Sequence, residues 1–321
     1  MNFNILMKWL ILMTIMISMS VNSWFIFWMM MEMNLMFFIP ILNKQKMTNS
    51  NSMITYFVIQ SFSSTIFIMM AILNFITYFY MFKILMIISI MIKLAIIPFH
   101  FWLISISEMI EFNSLFFILS LQKFIPLFIL SKFNSQFMIM FALASAILGS
   151  LSAMNSKMLK KMLIFSSISH QGWMIMLIMM KSNFWISYLL IYSIMIYKVT
   201  SLMKMFKFNY ISEFFNYNKN SLSKISLIMM MMSLSGMPPF MGFTLKIISI
   251  IILLTYFNFS IIILILSSML NIYFYLNSIQ SFFLLNLIKF KKMIMKTYMF
   301  KNMILNFNIF MIIFLFNLMI F

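Results

Sequence analysis

Glu32, Lys93, Lys123 and Lys246 each stand within an apolar run long enough to cross a bilayer. A charge at that depth costs about 3 kcal/mol or more unless it is paired or hydrated, so ionisable residues inside membrane spans mark ion or proton pathways. One carboxylate and three amines can pass protons among themselves or through water. The chain has no nucleotide-binding glycine fingerprint, catalytic triad or metal-ligand spacing that would point to other chemistry.

The neighbours of these residues sharpen the reading. Lys93 opens the stretch Lys93-Leu94-Ala95-Ile96-Ile97-Pro98-Phe99-His100-Phe101-Trp102. Pro98 removes a helical hydrogen bond and presses its ring on the preceding turn, which predicts a loosened helix whose freed carbonyls can hold water or a proton carrier. His100 follows Lys93 at about 10 Å along an ideal helix, on nearly the same face. The segment Ser235-Gly236-Met237-Pro238-Pro239-Phe240-Met241-Gly242-Phe243-Thr244-Leu245-Lys246 repeats the theme, with two prolines and two glycines that must break a membrane helix near a lysine. Lys123 also has a proline nearby, in Gln122-Lys123-Phe124-Ile125-Pro126.

Glu32 is the one central acid, so its pairing with Lys93 is the economical expectation, with a purely structural ion pair as the alternative. His170, in Ser166-Ser167-Ile168-Ser169-His170-Gln171-Gly172-Trp173, can relay a proton or simply hydrogen-bond inside the bundle; it and His100 are accessory relay candidates. Lys198 is close enough to a basic helix end to snorkel. Glu108 and Glu111 precede a helix start, where the helix dipole favours acids.

The elements that must position these residues follow from composition. With 64% apolar and only 8% charged residues, no single water-soluble core could hide the apolar surface, and lipid must solvate it. The 43 Met and 41 Phe, against 4 Gly and 5 Pro, follow A/T-rich codons and point to an organelle genome. No cysteine and 2 histidines leave iron-sulfur, haem and structural zinc sites almost nothing to work with, so any redox chemistry belongs to a partner and no metal is expected here. The formal charge of +18 resembles a nucleic-acid signal, but the lysines fall in short loops, where a topology signal is the simpler reading.

At about 20 apolar residues per span, the chain is an all-α polytopic membrane protein of eleven transmembrane helices. They run over 5–20, 24–42, 53–73, 82–103, 112–130, 137–153, 162–180, 184–203, 225–253, 259–287 and 303–320, and the first is read as a retained helix, not a signal peptide. Continuous apolar runs without alternation exclude a β-barrel. Fourteen loop lysines then fall on the side of the N-terminus and three, Lys83, Lys132 and Lys181, on the other. That asymmetry puts the N-terminus in the positive-inside compartment and the C-terminus opposite. The polar stretch Lys207 to Lys224 reads as a surface connection, and residues 1–321 form one transmembrane domain. Two interrupted helices at corresponding places point to inverted five-helix repeats, helices 1 to 5 and 6 to 10, with helix 11 C-terminal.

Five segments, Ser23-Trp24 leading to Glu32-Met33-Asn34, Lys93 to Trp102, Gln122-Lys123, Ser166 to Trp173 and Ser235 to Lys246, occur in the order and approximate spacing of a known family. In them the chain resembles the antiporter-like subunit 2 family of mitochondrial respiratory complex I, NADH:ubiquinone oxidoreductase, over nearly its whole length. Eleven helices fit the shortened animal form of that family. Ile104 and Ser105 stand where the family often has Pro-Glu, Met109 where Gly is common, and Leu245 where Pro is common before the distal lysine.

The resemblance implies a proton-pumping module of the mitochondrial inner membrane, N-terminus on the matrix side and C-terminus on the intermembrane-space side. Glu32 and Lys93 would be the coupled pair, Lys123 the central relay and Lys246 the distal proton site. It also implies other complex I membrane-arm subunits and lipid as partners, no nucleic acid, and no cofactor bound by this chain, with NADH, FMN, iron-sulfur clusters and ubiquinone in partner subunits. A proton-inert scaffold and a cation/proton antiporter subunit are the alternative functions; charges at midplane favour proton translocation, since a scaffold gains nothing from them.

Overall fold

A chain this apolar satisfies its backbone in lipid by closing every amide within helices. The computed structural model describes residues 3–42, 47–211, 213, 221–255 and 258–286. Among them the fold is all helical apart from one isolated bridge between Met158 and Tyr210. The helices are α1 (Phe3–Ser20), α2 (Trp24–Leu42), α3 (Met47–Thr77), α4 (Tyr80–Leu94), α5 (Phe101–Ser107), α6 (Phe112–Leu119) and α7 (Leu121–Leu130). They continue as α8 (Phe137–Met154), α9 (Leu159–Met179), α10 (Phe184–Phe206), α11 (Ser221–Ser235), α12 (Met241–Leu253) and α13 (Asn258–Asn286).

Eight of the described segments are long and apolar enough to cross a membrane, one of them spanning α6 and α7 together. Three expected spans are each two helices: α4 with α5, α6 with α7, and α11 with α12. The span expected over 303–320 and most of the Lys207 to Lys224 connection lie outside the described residues.

Packing divides the helices into two groups that meet on α9 and where α6 packs against α10. On one side α1, α2, α3, α4 and α7 pack against one another, and α5, α6 and α7 touch α9; on the other, α8, α10, α12 and α13 touch α9, with α11 behind them. The sequence of α9 allows it to be a shared wall, with 94% of its most apolar window buried. Its serines bond back within their own helix, Ser166 to the Leu163 carbonyl and Ser167 to that of Ile164, so hydroxyls can face the bundle without an unmet bond. Small residues on α8, Ala142, Ala146 and Gly149, let the two backbones approach closely.

The breaks after α4 and α11 are built alike. Ala95 takes the left-handed conformation (φ 56°), its amide bonding to the Ile92 carbonyl and the Ile96 amide to that of Met91. Gly236 (φ 80°) ends α11 with the same two bonds, Gly236 to Ser233 and Met237 to Met232. This left-handed cap satisfies carbonyls that the helix would otherwise leave open. Three residues beyond each left-handed residue stands a proline, Pro98 or Pro239, which cannot continue the ladder.

The break between α6 and α7 falls at Ser120 (φ −121°, ψ −83°), whose amide and hydroxyl both bond to the Phe116 carbonyl. It lies three residues before Lys123 and was not expected from the sequence.

Candidate functional site

The three lysines are buried, at 9% exposure for Lys93, 3% for Lys123 and 4% for Lys246, and Glu32 is half-buried. Lys93 lies in the last turn of α4, two residues before Ala95 at the first break. The carbonyls there each accept from a side chain: Trp102 Nε1 donates to Ile92 (3.1 Å), Gln60 Nε2 to Lys93 (3.3 Å) and Gln171 Nε2 to Leu94 (2.9 Å). Tertiary donors thus replace the lost helical ones.

Glu32 accepts a hydrogen bond from the Ser64 hydroxyl. It is close enough to act electrostatically on Lys93, but the two form no ion pair within 4.0 Å among the described residues. Helix α3 reaches both residues. Tyr56, Gln60 and Ser64, at four-residue spacing, lie on one face of it, and reach Gln122, the Lys93 carbonyl and Glu32 respectively. Gln122 in turn donates to Asn34 of α2 (3.1 Å). Ser64→Ala is expected to leave the carboxylate without its donor at about 1.5–3 kcal/mol. Earlier loss of the subunit on heating the solubilised protein, rescued by Ser64→Thr, would register it.

A cavity of ≈ 20 Å³ lies between Lys93 and Lys123, with Tyr56, Gln60, Trp102 and Gln122 in its wall. That is room for about one water, and the lining supplies the polar partners a buried water needs. The Lys123 ammonium has no hydrogen-bond partner among the described residues and sits 5.9 Å from the centre of the Tyr192 ring.

Beyond Tyr192 the polar line continues. The His170 ring lies 4.9 Å from that of Tyr192 and is within electrostatic reach of both Lys123 and Lys246. Its Nε2 faces the Leu234 carbonyl at 3.3 Å, and a carbonyl only accepts, so Nε2 carries the proton. In the neutral ring Nδ1 then accepts from the Tyr188 hydroxyl at 2.8 Å. Lys246 Nζ donates to the Ser235 carbonyl at 2.6 Å.

His100 stands apart from this line. Half-buried at the α4–α5 connection, it bonds to the Pro98 carbonyl and packs on the Phe101 and Phe165 rings. At the positive end of the bundle, Glu108 pairs with Lys161, and Lys160 donates to the Ile110 carbonyl (2.7 Å), fastening the α5–α6 connection to the start of α9. Sequence reasoning missed Tyr56, Gln60 and Ser64, whose signal is polar residues every fourth position in an apolar span, and Tyr188 and Tyr192, which share that spacing.

Residues 21–274 match the family model described as NADH:quinone oxidoreductase/Mrp antiporter, TM. The chain is 47% identical over 281 residues to a Rhipicephalus sanguineus protein named NADH-ubiquinone oxidoreductase chain 2, covering 88% of this chain and 90% of the relative. An Anopheles gambiae protein of the same name is 32% identical, with 91% and 86% covered. In fold it resembles a chain of Thermus thermophilus respiratory complex I with bound aureothin (TM-score 0.78, 17% identity, 88% of this chain and 71% of that one). It also resembles a chain of the Mrp complex from Dietzia sp. (TM-score 0.74, 17% identity, 85% and 59%). The polar line through a multi-pass helical bundle, the family match and these relatives together establish that the chain belongs to the NADH:quinone oxidoreductase/Mrp antiporter family, in its NADH-ubiquinone oxidoreductase chain 2 branch.

Proposed function

We propose that this chain is a proton-translocating membrane-arm subunit of respiratory complex I in the mitochondrial inner membrane. Electron transfer from NADH to ubiquinone, with its FMN and iron-sulfur clusters, takes place in partner subunits. Protons move along the line from Lys93 through Lys123 to Lys246, with His170 between the last two and Glu32 governing the Lys93 end. His100 has no role in this line. The observation that carries the reading is the polar cavity lined by both Lys93 and Lys123, whose Lys123 ammonium has no hydrogen-bond partner among the described residues. A site for one water there links two titratable groups that the apolar bundle otherwise isolates.

The two alike breaks support a further reading, eleven spans in which helices 1 to 5 and 6 to 10 are inverted repeats within one domain, and the asymmetry of the loop lysines supports an N-terminus in the matrix. Moving one charge against 100 mV costs about 2.3 kcal/mol. Bringing a carboxylate to a buried ammonium, or withdrawing it, changes their interaction by about 4 kcal/mol at 4 Å and an effective dielectric of 20. Opening and closing the Glu32 interaction can therefore drive one proton per cycle.

Glu32→Gln tests this, because it keeps an acceptor for Ser64 and removes only the charge. Intact assembly with coupled proton translocation lost is the expected result. Unchanged translocation would favour a proton-inert scaffold.

A further inference from the structure

Two consecutive residues of α9 each hold the broken end of a different helix. Gln171 Nε2 donates to the carbonyl of Leu94, the last residue of α4 and the neighbour of Lys93. His170 Nε2 donates to the carbonyl of Leu234, next to Ser235, whose own carbonyl receives Lys246. Successive side chains on a helix point about 100° apart, so one step of α9 can serve two neighbours. Because α9 packs on both helix groups, it is a common support for both ends.

We propose that Gln171 is a positioning residue for the Lys93 end of the relay, and that the His170–Gln171 step couples the two breaks mechanically. The proposal rests on the relay reading above. Gln171 is fully buried, and its Oε1 has no partner among the described residues. A buried amide with one unmet end costs more than an apolar side chain of the same length unless its other end is needed. The bond that needs it is the one to Leu94. Leu94 and Ala95 line the cavity together with Lys93, so Gln171 fixes a residue of the cavity wall through its carbonyl. Without it, the end of α4 can shift its last turn and carry Lys93 away from the water position. His170 meets the other break through the carbonyl adjacent to Lys246's acceptor, so a shift at one lysine is felt through α9 at the other.

The test is Gln171→Met in the assembled complex, with Lys93→Met measured beside it. Two quantities are read: hydrogen exchange of the peptide covering 95–97, and protons translocated per electron. Exchange should rise about tenfold, the factor given by losing one hydrogen bond of ordinary net strength, and the proton yield should fall at least about twofold if the shifted lysine is off the relay for half the cycles. Gln171→Leu, which is apolar and cannot donate, should do the same if the Met variant fails to assemble. Unchanged exchange overturns the proposal. Raised exchange with full translocation, beside a Lys93→Met protein that translocates nothing, overturns this proposal alone and leaves the relay standing. Full translocation by Lys93→Met removes the relay and the proposal together.

Discussion

Lys123→Met is expected to leave the subunit at least as stable as it now is, and the complex assembled, while abolishing proton translocation. The two effects have opposite signs because the lysine is placed for a task, at a cost to the fold. Its ammonium is buried with no hydrogen-bond partner among the described residues, and the nearest compensation is the face of Tyr192 at 5.9 Å. A cation–π contact contributes about 0.5–2 kcal/mol, against several kcal/mol for taking the charge out of water. Exchanging a buried charge for an apolar side chain of similar length is therefore neutral or stabilising by about 1–4 kcal/mol. A lysine kept for structure would behave the other way, with a destabilised subunit and unimpaired pumping. Thermal retention of the subunit and proton translocation, measured on one preparation, separate the two.

Gly242→Ala should act on the fold itself. A Cβ at this position would sit 1.8 Å from the Ser233 carbonyl oxygen and 3.2 Å from the Gly236 Cα. Both obstacles are backbone, so no side-chain rotation relieves the overlap, and α12 must move off the end of α11. Overpacking of this kind costs about 3 kcal/mol or more, and the subunit should be missing from the assembled complex on a native gel. Gly236→Ala makes the informative contrast. Its Cβ would meet Lys246 Nζ at 2.7 Å, the far end of a flexible chain. Ala95 already adopts the left-handed conformation at the corresponding place in the first break. That substitution should cost about 1 kcal/mol in backbone terms and push Lys246 off the Ser235 carbonyl, so assembly survives while proton translocation falls.

The parts of this fold legible in the sequence were those with strong local causes. Long apolar runs specify spans, and Pro98 and the Gly236 to Pro239 cluster break helices whatever surrounds them. A lysine or glutamate inside such a run announces itself. The break at Ser120 was not legible, because no glycine or proline stands there and its geometry depends on how α6 and α7 meet their neighbours. Nor was the fate of the carbonyls freed before Pro98. Whether Gln60 of α3, Trp102 of α5 and Gln171 of α9 reach them is decided by tertiary packing. For the same reason the sequence did not show that Ser64 of α3 holds the carboxylate of Glu32, the expected partner of Lys93.

The most direct test of the relay is the proton-to-electron ratio of the assembled complex carrying Lys93→Met, measured in sealed vesicles with electron transfer followed in the same sample. The methionine keeps the length and volume of the side chain and removes its titratable group, so the cavity wall is preserved while the first proton carrier is lost. The account predicts a ratio below that of the unmodified complex, with the subunit present in full amount. An unmodified ratio in a fully assembled complex would contradict it.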